Sequence, residues 1–122
     1  MSEKRIRFSK EARKAVWEKY NGHCAYCGIP LKLEDMQVDH LDPVYTDGSN
    51  DFNNLMPSCR SCNNYKRAHT LETFREYLEA IPNTLRRDSV TFKVGERFGM
   101  VKQAKEHIKF YFEENENERG HS

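Results

Sequence analysis

The sequence is short of apolar residues. Only 37% of its 122 residues are hydrophobic while 32% are charged. That leaves a thin core for one compact domain with a short appendage, and predicts that something besides apolar burial staples the fold. No apolar run approaches the ~18 residues of a membrane span. The opening stretch Met-Ser-Glu-Lys-Arg-Ile-Arg carries charge without an apolar core, unlike a secretory signal. The expectation is therefore a cytoplasmic protein with no membrane partner. No internal repeat is visible. Cysteine is confined as well: there are four, all between residues 24 and 62. In a reducing compartment, paired Cys-x-x-Cys motifs read as a metal site and not as disulfides. An excess of one charge is also missing, since the net charge of +1 by itself says nothing for nucleic acid.

The placement of the charge is more informative. Residues 1–14 carry six basic against two acidic residues, and residues 59–87 six against three. Residues 32–51 carry one basic against six acidic. An acidic loop flanked by basic segments suits a cation site beside a phosphate-binding surface, although a solvated surface of mixed sign has the same composition.

Along the chain, Ser9 to Tyr20 reads as a helix with Ser9 as N-cap and an Ala12, Ala15, Val16, Tyr20 stripe, ended by Asn21-Gly22. Trp17 and Tyr20 read as core. Met36 to Leu41 alternates like a short strand, and Thr46 to Asn54 reads as a loop. A second helix opens near Cys59, with Ser58 as candidate cap, and runs to about Arg67. A third starts at Thr70 with a Leu71, Phe74, Leu78, Ile81 stripe, and Pro82 is expected to stop it. Val90, Val94 and Phe98 suggest a helix ending at Gly99. Ile108 to Phe112 alternates with aromatics and reads as a strand, packed against the third helix. The fold class expected is α+β: a small core with flanking helices and a short C-terminal strand. Residues 1–68 would form the core and residues 69–122 an appendage packed on it, able to dock a protein partner or form a homodimer.

Two residues between cysteines let both thiolates of a pair reach one tetrahedral ion, and Gly28 permits the tight turn after the first pair. Cys24, Cys27, Cys59 and Cys62 together close a coordination shell, so the zinc they imply is structural. The 31 residues between the pairs exceed the ~15–20 of a plain ribbon, so a strand and a loop must fit between them. Binding energies of such sites, about 10 kcal/mol or more, would offset the thin core.

Inside this frame lie Asp39-His40, Asn54 and Asn63. Asn63 follows Cys62 directly, so the zinc sets its placement, and the staple can bring Asp39 and Asn63 to one ion. Carboxylate oxygen, amide oxygen and water suit Mg²⁺ or Mn²⁺. His40, one residue on, projects from the opposite side of the strand and is free to act as a base.

Cys24-x-x-Cys27, Val38-Asp39-His40-Leu41-x-Pro43, Asn54-Leu55 and Cys59-x-x-Cys62-Asn63-x-x-Lys66 agree in order and spacing with one family. Over residues 24–66 the sequence resembles the HNH endonucleases (ββα-metal, or His-Me finger, nucleases) in their zinc-stapled form. The resemblance implies a ββα-metal core that cuts DNA. His40 would be the general base. Asn54 would tie down the loop and help orient that base. Asn63, standing where the family has His or Asn, would hold the catalytic divalent metal together with Asp39. Phosphodiester hydrolysis needs this set: a neutral imidazole can deprotonate water, and one metal can neutralise charge developing on phosphate. Arg60, Lys66 and Arg67 would grip flanking phosphates. The competing readings are a non-catalytic zinc-stapled module that binds nucleic acid or protein, and a thiol redox protein.

Overall fold

The computed structural model describes residues 8–43 and 49–115. The start of the basic N-terminus, residues 44–48 with the first part of the expected loop, and residues 116–122 lie outside the described residues. Among the described residues no helix is long and apolar enough to cross a membrane.

The first helix, α1 (Lys10–Glu18), begins where expected: the Ser9 side chain accepts from the Ala12 N–H at 3.0 Å. Asn21 and Gly22 leave it in left-handed conformations, with φ of 57° and 78°. Its buried residue Val16 packs with Met36 and Leu55, and with the partly buried Trp17 and Val38. Two side chains of α1 tie it to the segment before the first strand. Arg13 donates to the Met36 carbonyl at 2.9 Å, and the Trp17 indole N–H to the Leu31 carbonyl at 2.9 Å. Tyr20 is buried in the main core.

The sheet is two antiparallel strands, β1 (Gln37–His40) and β2 (Leu55–Ser58), with Asp39 opposite Met56 and His40 opposite Leu55. The sequence reading does not foresee β2 as an element, because all four of its residues are buried and show no alternation, and Pro57 argues against a central strand. In a two-stranded sheet every strand is an edge. Pro57 therefore costs no ladder bond, and its carbonyl accepts from the Ala25 N–H at 2.8 Å. Helix α2 (Arg60–Lys66) follows at once. Its N-cap is Cys59, whose sulfur accepts from the Cys62 N–H at 3.3 Å, and not Ser58, whose hydroxyl turns to the Cys59 carbonyl.

Helix α3 (Leu71–Glu79) is capped by Thr70 as expected. Pro82 does not end the helical region. A new helix, α4 (Ile81–Asp88), starts after Ala80 with Pro82 in its first turn, where a missing N–H breaks no helical bond. Helix α5 (Val90–Arg97), capped by Ser89, carries the Val90/Val94 pattern and is followed by Gly99 at φ 75°.

The expected C-terminal strand is absent, although the α+β class stands. Residues 111–114 form a one-turn helix, α6 (Tyr111–Glu114). Glu113 reaches back to accept from the Phe110 N–H at 2.8 Å, which starts the turn. The aromatics are nonetheless buried as expected. Phe110 stacks on Phe74 of α3, with centroids 5.3 Å apart, and both belong to the buried cluster that holds Tyr20, Cys24, Tyr26, Met56 and Cys59.

Candidate active site and metal centre

The four cysteine sulfurs lie within 4.8 Å of one another, contributed by the turn after α1 and by the start of α2. None forms a disulfide, and Cys27 and Cys59 stand 3.8 Å apart at sulfur. Tetrahedral coordination at a metal–sulfur distance of ~2.3 Å requires sulfurs about 3.8 Å apart, so the donor set and its spacing fit a metal ion. Gly28 makes the knuckle tight. It sits at φ 83°, and a Cβ there would lie 2.7 Å from the Tyr111 ring. Without an ion the thiols share charge unevenly. Cys24 is held down to about 4, mainly by the hydrogen bond from the Cys62 thiol, while burial pushes Cys27 up to about 11. A divalent cation supplies the positive charge that lets all four ionise.

Strand alternation separates Asp39 from His40, as the sequence reading expects. Asp39 is buried and turns towards α2, where its Oδ2 lies 3.0 Å from the Lys66 ammonium. The Tyr26 hydroxyl donates to the same oxygen at 2.5 Å. Burial pushes the Asp39 carboxyl above the usual carboxylate range, against the pull of Lys66. On the other face, the His40 ring is half-buried and its Nε2 lies 2.7 Å from the Asn50 side-chain oxygen. An amide oxygen accepts, so in the neutral ring this contact selects the Nε2–H tautomer and leaves the Nδ1 lone pair for a proton.

Asn54 closes the loop between the strands. Its amide donates to the carbonyls of Asp42 (3.0 Å) and Ser49 (2.7 Å), and its oxygen accepts from the Asp42 N–H at 2.8 Å. These bonds hold Ser49 beside Asp42, and so carry Asn50 to His40. Asn63 is half-buried on α2, one turn before Lys66 and thus on the helix face that meets β1. Arg60 and Arg67 are exposed at the two ends of α2.

Lys66 needs correcting. Its side chain is 0% exposed, paired with Asp39 and donating to the His40 carbonyl at 2.9 Å, so it cannot grip a phosphate at the surface. Its charge is used inside because β1 buries a carboxylate against α2, and an unpaired buried carboxylate is costly. Two polar partners escape a reading of the sequence. Asn50 sits in a loop whose path spacing cannot show. Tyr26 looks like one more core aromatic, and only its place between Cys24 and Cys27 marks it.

A strand pair and a helix lie beside a cluster of four cysteines, with an imidazole on one face of the strand and a carboxylate on the other. That defines a small ββα unit with a four-sulfur site able to hold a metal ion. Residues 24–69 match the HNH endonuclease family. The chain is 34% identical to YoqL, an SPbeta prophage-derived protein of Bacillus subtilis that bears the HNH endonuclease name, over 57% of this chain and 38% of that protein. It is 35% identical to the CRISPR-associated endonuclease Cas9 of Corynebacterium diphtheriae, over 54% of this chain and 7% of that protein. The chain therefore spans well under two thirds of the length of either relative. Among solved structures, the Type II-C Cas9 enzyme from Actinomyces naeslundii aligns with 79% of this chain and 11% of its own, at a TM-score of 0.49 and 17% identity.

Proposed function

We propose that the chain is a divalent-metal-dependent DNA endonuclease that hydrolyses phosphodiester bonds, with His40 as general base. The observation that carries this reading is the arrangement on β1: an imidazole with a free Nδ1 on one face, and a carboxylate held against α2 on the other, inside a segment of the HNH family. The names of the relatives, both of which carry the word endonuclease, support it. Asn50 holds Nε2 and so directs Nδ1 towards the attacking water. Asn54 acts through the loop that presents Asn50. Asp39 and Asn63 offer hard oxygens suited to Mg²⁺ or Mn²⁺. When bound there, the ion supplies positive charge to the phosphate and the leaving oxygen. Arg60 and Arg67, exposed on α2, hold flanking phosphates. The four-cysteine ion is a structural zinc. Residues 1–68 form the nuclease core, and residues 69–122 complete it through Phe74 and Phe110 while offering a surface for a protein partner or a second copy.

A second reading, a non-catalytic zinc-stapled nucleic-acid-binding module, is favoured by one observation: Asp39 is already neutralised by Lys66 without any added ion. Plasmid cleavage separates the two. Zinc-loaded protein should nick or linearise plasmid DNA with Mg²⁺ or Mn²⁺ and stop in EDTA. His40→Ala should lose about 10²- to 10⁴-fold in rate while keeping zinc and fold. Full activity in a folded His40→Ala protein would remove His40 as the base, and inert wild type would leave the binding module.

A further inference from the structure

Resting on the reading of Asp39 as a ligand of the divalent ion, we propose that Tyr26 is a positioning residue. Together with Lys66 it occupies Oδ2 of Asp39 and commits Oδ1 to the ion. A carboxylate has two oxygens and room for about four donors, and buried acceptors are as a rule paired. At Asp39 one oxygen takes both donors. The Tyr26 hydroxyl at 2.5 Å and the Lys66 ammonium at 3.0 Å converge on Oδ2, and among the described residues no donor reaches Oδ1. Asp39 is only 6% exposed, so Oδ1 has little access to solvent and no donor among the described residues. A cation is the partner that resolves it.

The hydroxyl is aimed by packing. Phe74, Phe110 and Phe112 meet the Tyr26 ring edge to face, at centroid distances of 5.4, 5.6 and 6.2 Å. With both side-chain torsions held by these rings, the oxygen has one place to go. The backbone is anchored as well. Tyr26 lies between Cys24 and Cys27, and its carbonyl accepts from the Tyr111 N–H at 3.0 Å. Lys66 sits four residues beyond Cys62 on α2. Both donors on Oδ2 therefore hang from the thiolate cluster, which links the structural ion to the orientation of the catalytic ligand.

Tyr26→Phe tests this in the full, zinc-loaded chain, because it removes the hydroxyl and keeps the ring. Mn²⁺ affinity is read from the free-ion paramagnetic resonance signal, and the half-saturating Mn²⁺ from plasmid nicking. The expected result is unchanged zinc content, an Mn²⁺ affinity weaker by about 10- to 100-fold, and nicking that recovers in excess Mn²⁺. Val16→Ala, which loosens the separate cluster of α1 without touching the Tyr26 ring, should lower Tm and leave Mn²⁺ affinity unchanged. Wild-type Mn²⁺ affinity in Tyr26→Phe overturns the proposal, as does a Tyr26→Phe chain that no longer folds or a wild type that binds no Mn²⁺. If wild type binds Mn²⁺ in a Tyr26-dependent way but cuts nothing, the nuclease reading fails and the positioning role stands. Nicking with an unshifted Mn²⁺ requirement in the variant does the reverse.

Discussion

A lysine four residues after a cysteine knuckle, with arginines on either side, reads from sequence as a phosphate contact. The fold assigns it differently because sequence spacing reports the face of a helix but not what covers that face. Lys66 and Asn63 do share a face of α2, as their spacing requires, yet that face lies against β1 and its carboxylate. The consequences differ in kind for the three basic residues. Lys66→Met leaves Asp39 buried without its cation and should cost about 3 kcal/mol of stability, read by denaturant unfolding of the zinc-loaded protein. Arg60→Ala should leave stability within about 0.5 kcal/mol and weaken DNA binding. Its signature is a slope of log affinity against log salt shallower by about 0.9, as for one lost phosphate contact. A wild-type slope in Arg60→Ala would take Arg60 out of the interface. Asn50 makes the same point from the other side. Asp-Gly-Ser-Asn is readable as a loop, but its contact with His40 depends on Asn54 closing that loop.

At the scale of elements, periodicity and capping chemistry carried the reading wherever a segment buries one face. Ser9 and Thr70 cap α1 and α3 through side-chain oxygens that accept from the third residue on. Periodicity misled where the partner of a segment is not secondary structure. Residues 108–112 alternate like a strand, but no strand lies beside them. Two of their N–H groups go instead to the knuckle, Tyr111 to the Tyr26 carbonyl and Phe112 to the Ala25 carbonyl, while those of Ile108 and Phe110 go to the Glu79 and Glu113 carboxylates. The knuckle is thus held by thiolates on one side and by the returning chain on the other. The structural zinc proposed for the four cysteines would contribute about 10 kcal/mol or more, comparable with the whole stability of a domain this size, so stripping it should unfold the core and not merely loosen it. The expected outcome of chelation is one ion released per chain with loss of near-ultraviolet circular dichroism, reversed by adding Zn²⁺. A chelated chain that keeps its tertiary signal would show that the aromatic cluster suffices alone.

For the whole molecule, the question is what fastens the C-terminal segment onto the core. Phe110 fills the cluster, but its place depends on one polar clasp. Arg75 of α3 makes a two-pronged contact with Glu113, at 2.6 and 3.0 Å, donates to the Ile108 carbonyl at 2.7 Å, and lies 4.8 Å over the Phe110 ring. Both charged side chains are mostly covered, 19% and 23% exposed, so the pair is screened less than a surface bridge. The hydrogen bond from Arg75 holds the Glu113 carboxyl below its usual range. A carboxyl depressed in the folded state binds its proton more readily when unfolded. The clasp therefore contributes fully above about pH 4.3, the ordinary glutamate value, and its contribution fades as pH falls below that through the folded-state value. Glu113→Gln keeps an oxygen for the Phe110 N–H but removes the charge and the second oxygen that accepts from Arg75. Near neutrality it should cost about 1 kcal/mol, or roughly 4 °C in Tm. The gap between wild type and variant should narrow as the pH is lowered past 4. Acid also protonates the thiolates and weakens the metal site, but it does so equally in both proteins, so the difference between their Tm values isolates the clasp. A gap that stays constant down to pH 3 would mean that Glu113 acts through its cap on Phe110 and that the charge pair holds nothing in place.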